Sequence, residues 1–398
     1  MKKIRICIVF VLIYCGAVGQ NYDESKIPPY VLPDPLKTTH NKIINSAALW
    51  EKDRRSEILF LFENNVYGQL PKDYDSISYR IVHDGNKAMG GKARLKEVQI
   101  SIRRSGKSVR INLVLFVPDA SKRSAVFLFI NNRGMDNIDP TRKSKSEFWP
   151  AEMLIDSGYA VAAFHVSDAA PDSKENYQEG VLQLYPEQLK APNGMKAIGA
   201  WAWAASRVMD YFEEDKDIDP KKVFVVGHSR GGKAALWAGA QDQRFAMVFS
   251  NCSGNSGAAL SRRRVGETVK RINTSFPYWF CDNYKKYNDN VDALPVDQHM
   301  LLSLIAPRPL YTTNATKDLW ADPKGSFLSA KNSEKVYALY KKKSALGREA
   351  PPANTPVIFS ILGYHIREGE HNLTLYDWTN FVKFANYHFP RQNSKFKS

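Results

Sequence analysis

The sequence predicts an α/β fold, a three-layer sandwich whose mostly parallel sheet carries antiparallel strands on its N-terminal side. Three observations carry this. Residues 76–82, 93–103 and 109–117 are β-rich runs joined by turn chemistry, which reads as an antiparallel meander at one sheet edge. After Pro118 the rhythm changes to short, mainly apolar runs at 125–130, 160–164, 223–226, 246–250, 309–313 and 357–362, several separated by helical patterns. Strands alternating with helices pack as parallel strands covered on both faces. The third observation is one stretch, Val223-Phe-Val-Val-Gly-His-Ser-Arg-Gly-Gly-Lys-Ala-Ala-Leu-Trp237, which reads as buried strand, tight turn and helix.

Taken in order, the chain opens with Met-Lys-Lys-Ile-Arg, an apolar run and Ala17-Val18-Gly19. A basic start, a short apolar core and a small-x-small site match an export leader over residues 1–19, too short for a bilayer-spanning helix of about 20 residues. Lipid attachment at Cys15 is disfavoured by the bulky Tyr14. Residues 20–36 are Pro-rich and read as an extended arm. Residues 46–67 carry apolar side chains at helical spacing, stopped by Gly68 and Pro71. Asp84-Gly85 and Ser105-Gly106 read as the turns of the meander, and 195–212 is the clearest later helix. No repeat, low-complexity tract or linker interrupts residues 20–398, so a single catalytic domain with an N-terminal arm and helix is expected.

The chain has 398 residues, a net charge of +15 and 12% aromatic residues, which excludes global disorder. Loss of the leader would remove Lys2, Lys3 and Arg5, and also Cys7 and Cys15. Cys252 and Cys281 would remain, either paired in an oxidising compartment or separately buried. The basic runs Arg262-Arg-Arg264 and Lys341-Lys-Lys343 lack the interleaved aromatics of a single-strand nucleic-acid groove. Acidic polysaccharide suits an exported protein better, with most of these cations on a solvated face. No nucleic acid or membrane partner is expected, and the chain is taken as a monomer in the periplasm or outside the cell.

Gly227-His228-Ser229-Arg230-Gly231 is a G-x-S-x-G pattern between a strand and a helix, the setting of a nucleophile elbow in the α/β-hydrolase order. Ser229 is therefore the candidate nucleophile. It needs a base and the base needs an orienting acid, in the chain order Ser, acid, His. Of the histidines beyond the last strand, His371 follows a Gly-containing loop and is the candidate base. His365 lies almost on the strand and reads as a packed neighbour, and His388 as part of a C-terminal helix face. Asp318 is the first carboxylate past the 309–313 strand and is the candidate acid. Asp322, followed by Pro323, is the second choice and Glu267 the third.

These residues, with several flanking motifs, resemble the glucuronoyl esterases, carbohydrate esterase family 15. The resemblance lies in Trp50-x-x-x-Arg-Arg-x-Glu-Ile-Leu with Val66-Tyr-Gly68, and in Gly227 to Lys233. It continues in Ala258-Ala-Leu-Ser-Arg-Arg263 with Gly266-Glu267, Asp318-Leu-Trp-Ala-Asp-Pro-Lys-Gly325, and Gly363-Tyr-His-Ile-Arg367 with His371. It implies Ser229 as nucleophile, His371 as base, Arg230 as oxyanion stabiliser, and Lys233, Glu267 and Trp320 as the groups that hold a glucuronate sugar. Many members of the family carry a Glu where this chain has Cys252, and a thiol cannot orient the base, which favours Asp318. No metal or organic cofactor is implied.

The resemblance thus implies a serine esterase cleaving 4-O-methyl-D-glucuronoyl esters, such as glucuronoxylan–lignin linkages. The rival readings are an esterase on acetylated sugars and a catalytically silent binder of acidic polysaccharide.

Overall fold

The computed structural model describes residues 20–119 and 123–390; the leader motif lies outside them. Among the described residues, β1 (Ser76–Ala88), β2 (Ala93–Arg104), β3 (Lys107–Pro118), β4 (Ser124–Asn131), β5 (Ala160–His165), β6 (Ile218–His228), β7 (Met247–Asn251), β8 (Leu310–Ala315) and β9 (Leu362–Arg367) form one sheet. Its order is β1-β2-β3-β5-β4-β6-β7-β8-β9. β1, β2 and β3 pair antiparallel, as does β3 with β5, and every later pairing is parallel. This is the α/β-hydrolase architecture expected from the sequence.

The parallel strands are apolar on both faces because both faces are covered. Val126, Leu128 and Ile130 of β4 and Val223 and Val225 of β6 join a core with Trp201, Val208, Ala234, Trp237, Leu301 and Val336. These come from the helices Ala197–Glu214, Arg230–Gln241, Gln298–Ser303 and Pro323–Leu339. The alternate residues, Phe127, Phe129, Phe224 and Val226, join a second core with Leu154 of the helix Ala151–Asp156 and with Trp378 and Phe381 of the helix Leu375–His388. Period-two alternation along a strand sends neighbours to opposite sides, so uniformly apolar runs are what a middle layer requires.

Two local expectations are corrected. Asp84-Gly85 is not a turn: it continues β1 opposite Lys96 and Leu95, with register shifts nearby, and Met89–Gly91 makes the reversal. The 357–362 run is not the last strand. Val357 makes a single bridge to Tyr364, and β9 starts at Leu362, which puts His365 within it. The sequence pattern favoured the apolar run, but backbone pairing with β8 selects Gly363-Tyr-His-Ile-Arg.

Charges that read as surface are partly internal. Arg262 and Arg263 are buried. Arg262 donates to Asp297 and to the carbonyls of Val296 and Leu294, and Arg263 pairs with Asp322 and Glu24. Glu24 belongs to the N-terminal arm. The arm is also held where His299 Nε2 meets Pro33 O at 2.8 Å and where Arg54 donates to the carbonyls of Asp34 and Pro35. Cys252 and Cys281 are both free and buried, so the disulfide reading is rejected.

Candidate active site

The site stands at the C-terminal ends of the parallel strands, where open α/β sheets place their ligands. β6 ends at His228, Ser229 follows with φ 55° and ψ −125°, and the helix Arg230–Gln241 starts at once. A non-glycine residue holds that conformation only when its surroundings enforce it. Ser229 N donates to Asn251 O at 2.8 Å, and Lys233 N donates to Ser229 O at 3.1 Å. Gly227 admits no side chain, since a Cβ there would lie 2.0 Å from Gly231 O. The hydroxyl is therefore lifted off the sheet edge. The first N–H groups of the helix, at Arg230 and Gly231, have no intrahelical acceptor and remain available to an anion.

His371 Nδ1 and Asp318 Oδ2 are 2.6 Å apart, with the imidazole about 39% exposed and the carboxylate about 3%. The other carboxylates lie elsewhere. Asp322 caps the helix Pro323–Leu339 by accepting from Gly325 N at 2.9 Å, as its following proline suggested, and it pairs with Arg263. Glu267 Oε2 sits 2.7 Å from Lys233 Nζ.

Lys233 is buried at the base of the site and all three of its protons have acceptors: Ser253 O, Asn255 O and Glu267 Oε2. Burial lowers its pKa, and the Glu267 charge opposes that shift. Glu267 N donates to Trp320 O at 2.9 Å, so Asp318, Trp320, Glu267 and Lys233 converge through two adjoining loops. Trp320 is half-buried, with the Arg271 guanidinium 5.9 Å from its ring centroid. Arg230 is held by Asp172 Oδ2, 2.7 Å from Nε, and lies over Trp279.

Cys252 occupies the turn after β7, with φ 47° and its N bonded to Thr313 O at 2.8 Å. Its Sγ, an Asp318 oxygen and a His371 nitrogen all lie within 4.8 Å of one another. Burial raises the thiol pKa well above its usual value, and the Asp318 charge adds to this. The trio has the composition of a metal site, but the acid–base contact of Asp318 with His371 already uses two of its three ligands.

Sequence reasoning missed two supports. His228, Asn251, Thr313 and His365 stand in one register row across β6, β7, β8 and β9. Asn251 links His228 to Thr313 and to Asp377, and His365 Nε2 meets Asp377 Oδ1 at 2.8 Å. Burial acts to raise the Asp377 pKa, but His365 and Arg367 outweigh it and hold it below the usual value. Arg367 Nε donates to Asp377 while Nη2 donates to Glu370 O and Asn372 O, both at 2.7 Å, clamping the loop that carries His371. Part of the signal was legible, since Thr313 ends the 309–313 run and Asn251 follows the 246–250 run, whereas His365 lies beyond the 357–362 run.

The second missed feature is the end of β4 with the loop after it, Asn131-Asn-Arg-Gly134. Asn132 Oδ1 would be 3.0 Å from a Cβ on Gly231, so this loop lies against the elbow. In α/β-hydrolases the corresponding loop supplies an oxyanion donor.

A cavity of about 410 Å³ lies behind the Asp318 loop, lined by Tyr22, Glu24, Leu319, Phe327 and Tyr364 among others. None of Ser229, His371 and Asp318 lines it.

Comparison with known proteins is consistent with this geometry. A family model described as fungal glucuronyl esterase matches residues 100–340. The chain is 40% identical to a carbohydrate esterase from an unknown prokaryotic organism, over 96% of this chain and 98% of that one. It is 27% identical to a 4-O-methyl-glucuronoyl methylesterase of Schizophyllum commune, over 77% of this chain and 72% of that one. The structure of a glucuronoyl esterase from Solibacter usitatus superposes with a TM-score of 0.85 at 38% identity, covering 92% of this chain and 100% of the other.

Proposed function

The chain belongs to the glucuronoyl esterase family, carbohydrate esterase family 15, and from that premise we propose that it hydrolyses 4-O-methyl-D-glucuronoyl esters through an acyl-enzyme on Ser229. The observation that carries this is the His371–Asp318 contact of 2.6 Å beside a strained serine elbow. Ser229 Oγ attacks the uronoyl carbonyl carbon while His371 Nε2 takes its proton. Asp318 keeps the Nδ1 proton in place and stabilises the imidazolium. The Arg230 N–H and side chain face the charge on the tetrahedral oxygen, together with the loop after β4. His371 then returns the proton to the departing alcohol. A water repeats the sequence on the acyl-enzyme and releases the uronic acid.

The sugar is held by Glu267 and Trp320. Glu267 keeps acceptor capacity for ring hydroxyls, and the Trp320 face can pack on the ring. Lys233, with every proton engaged, acts by fixing Glu267. Export through the 1–19 leader would bring the enzyme to xylan–lignin esters outside the cytoplasm. The basic, apolar and small-residue order of that segment supports this reading. No helix among the described residues is long and apolar enough to cross a membrane.

The test is turnover of methyl or benzyl glucuronate beside an acetylated sugar. The uronoyl esters should be preferred, and Ser229→Ala should fall to background. A clear preference for the acetyl ester, or undiminished turnover by Ser229→Ala, would overturn the reading.

A further inference from the structure

Two arginines flank the elbow, and among the described residues only one has a counter-ion. Arg230 is paired with Asp172. Arg133 engages no ion pair among the described residues. Its guanidinium lies 4.0 Å from the Phe148 ring centroid, and its Nη2 is 3.5 Å from His228 Nε2. That imidazole cannot supply negative charge. Asn251 Nδ2 donates to Thr313 Oγ1 and Asp377 Oδ1, so Asn251 Oδ1 accepts the His228 Nδ1 proton and Nε2 is the lone-pair nitrogen. Burial, then the neighbouring His371, holds the His228 pKa well below its usual value. The His228 ring is in turn 4.6 Å from the His371 ring. Arg133 is thus one imidazole away from the base.

The arginine is also fixed from behind. Its N–H donates to Asn131 Oδ1 at 3.2 Å, and its carbonyl accepts from Asn131 Nδ2 at 3.1 Å and meets His165 Nε2 at 2.7 Å. Burial, and then the charge of Arg230, push its pKa down. A half-buried cation with no counter-charge among the described residues gains most when negative charge arrives.

We propose that Arg133 is a second cationic contact, beside Arg230, for the negative charge that the reaction develops on the uronoyl carboxyl group. This rests on the esterase reading and deepens it. The substrate ester is neutral, the tetrahedral oxygen is an anion, and the released acid is a carboxylate. A cation placed there interacts more strongly with the transition state than with the ground state, which accelerates the chemical step. The same contact makes the free uronate a product inhibitor.

The experiment combines turnover of methyl glucuronate with calorimetric binding of the glucuronate anion and of glucose, on wild type, Arg133→Gln and Arg133→Lys. Arg133→Gln should lower kcat/KM by about 10²-fold, the scale for loss of one preorganised donor. It should weaken glucuronate about tenfold, the share of one charge-assisted contact, and leave glucose binding unchanged, with Arg133→Lys in between. The proposal is overturned if Arg133→Gln keeps both constants near wild type. It is also overturned if turnover falls without loss of anion binding, or if both variants lose activity in step with melting temperature, as packing on Phe148 alone would cause. A wild-type protein that binds glucuronate through Arg133 yet does not turn over the ester would instead count against the esterase reading, leaving the anion contact standing.

Discussion

The pairing of Asp318 with His371 and the thiol of Cys252 are two halves of one design. Two loops, after β7 and after β8, bring a side chain within 4.8 Å of the His371 ring nitrogen. This chain has a buried neutral thiol at the first and a carboxylate at the second. Asp318→Asn should therefore lower kcat by about 10⁴, the cost of holding the base in the wrong tautomer. The double variant Asp318→Asn with Cys252→Glu should recover at least part of that loss, because Sγ already lies within 4.8 Å of the Asp318 and His371 ligand atoms. Steady-state kinetics on methyl glucuronate checks both, and no recovery would mean that the turn after β7 cannot present a carboxylate to the ring. The elbow at Ser229 and the contact of Asp318 with His371 were legible in residue order, because both lie just past the C-terminal ends of neighbouring parallel strands. The occupation of Lys233 was not, because its acceptors Ser253 O and Asn255 O are backbone atoms that only the folded turn brings together.

At the scale of elements, the elbow and the base loop differ in how they are held. Ser229 is fixed by the covalent tightness of the turn and by Asn251 O. The loop 368–373 is held by side chains and a neighbouring loop: Arg367 links three of its carbonyls to Asp377, and Thr316, Lys317 and Asn354 bond its first residues. Arg367→Ala should cost about 3 kcal/mol of stability, the low end for breaking a buried ion pair, because the buried Asp377 loses its guanidinium but keeps His365, Asn251 and Thr374. Denaturant unfolding measures this, and a change under about 1 kcal/mol, the value of an exposed pair, would contradict it. The strand–turn–helix of the elbow was legible because local pattern and tertiary role agree there. The boundaries of β9 were not, because the polar segment Tyr364-His-Ile-Arg becomes a strand only through pairing with β8 and through the Asp377 network. Buried polar side chains at strand ends defeat a reading based on apolar runs, and they cluster where the site is.

For the whole molecule, burial sets the pH response. His228, His299 and His388 all have pKa values pushed down, with burial the largest cause in each. The unfolded chain therefore binds protons that the folded chain refuses once the pH falls below the ordinary imidazole value of about 6.5. Stability should fall as the pH drops below about 6.5, most through the buried His228 and His299 and less through the partly exposed His388. Melting temperature against pH tests this, and a flat profile would contradict it. Part of the effect bears on the arm, since His299 meets Pro33 O. The most direct test of the account compares Ser229→Ala, His371→Ala, Asp318→Ala and the triple variant on methyl glucuronate. Groups acting as one unit lose activity non-additively, so Ser229→Ala, His371→Ala and the triple variant should reach the same floor, with Asp318→Ala about 10- to 10²-fold above it. Losses that multiply, or a Ser229→Ala variant well above the triple variant, would show that the three residues do not share one proton-transfer chain.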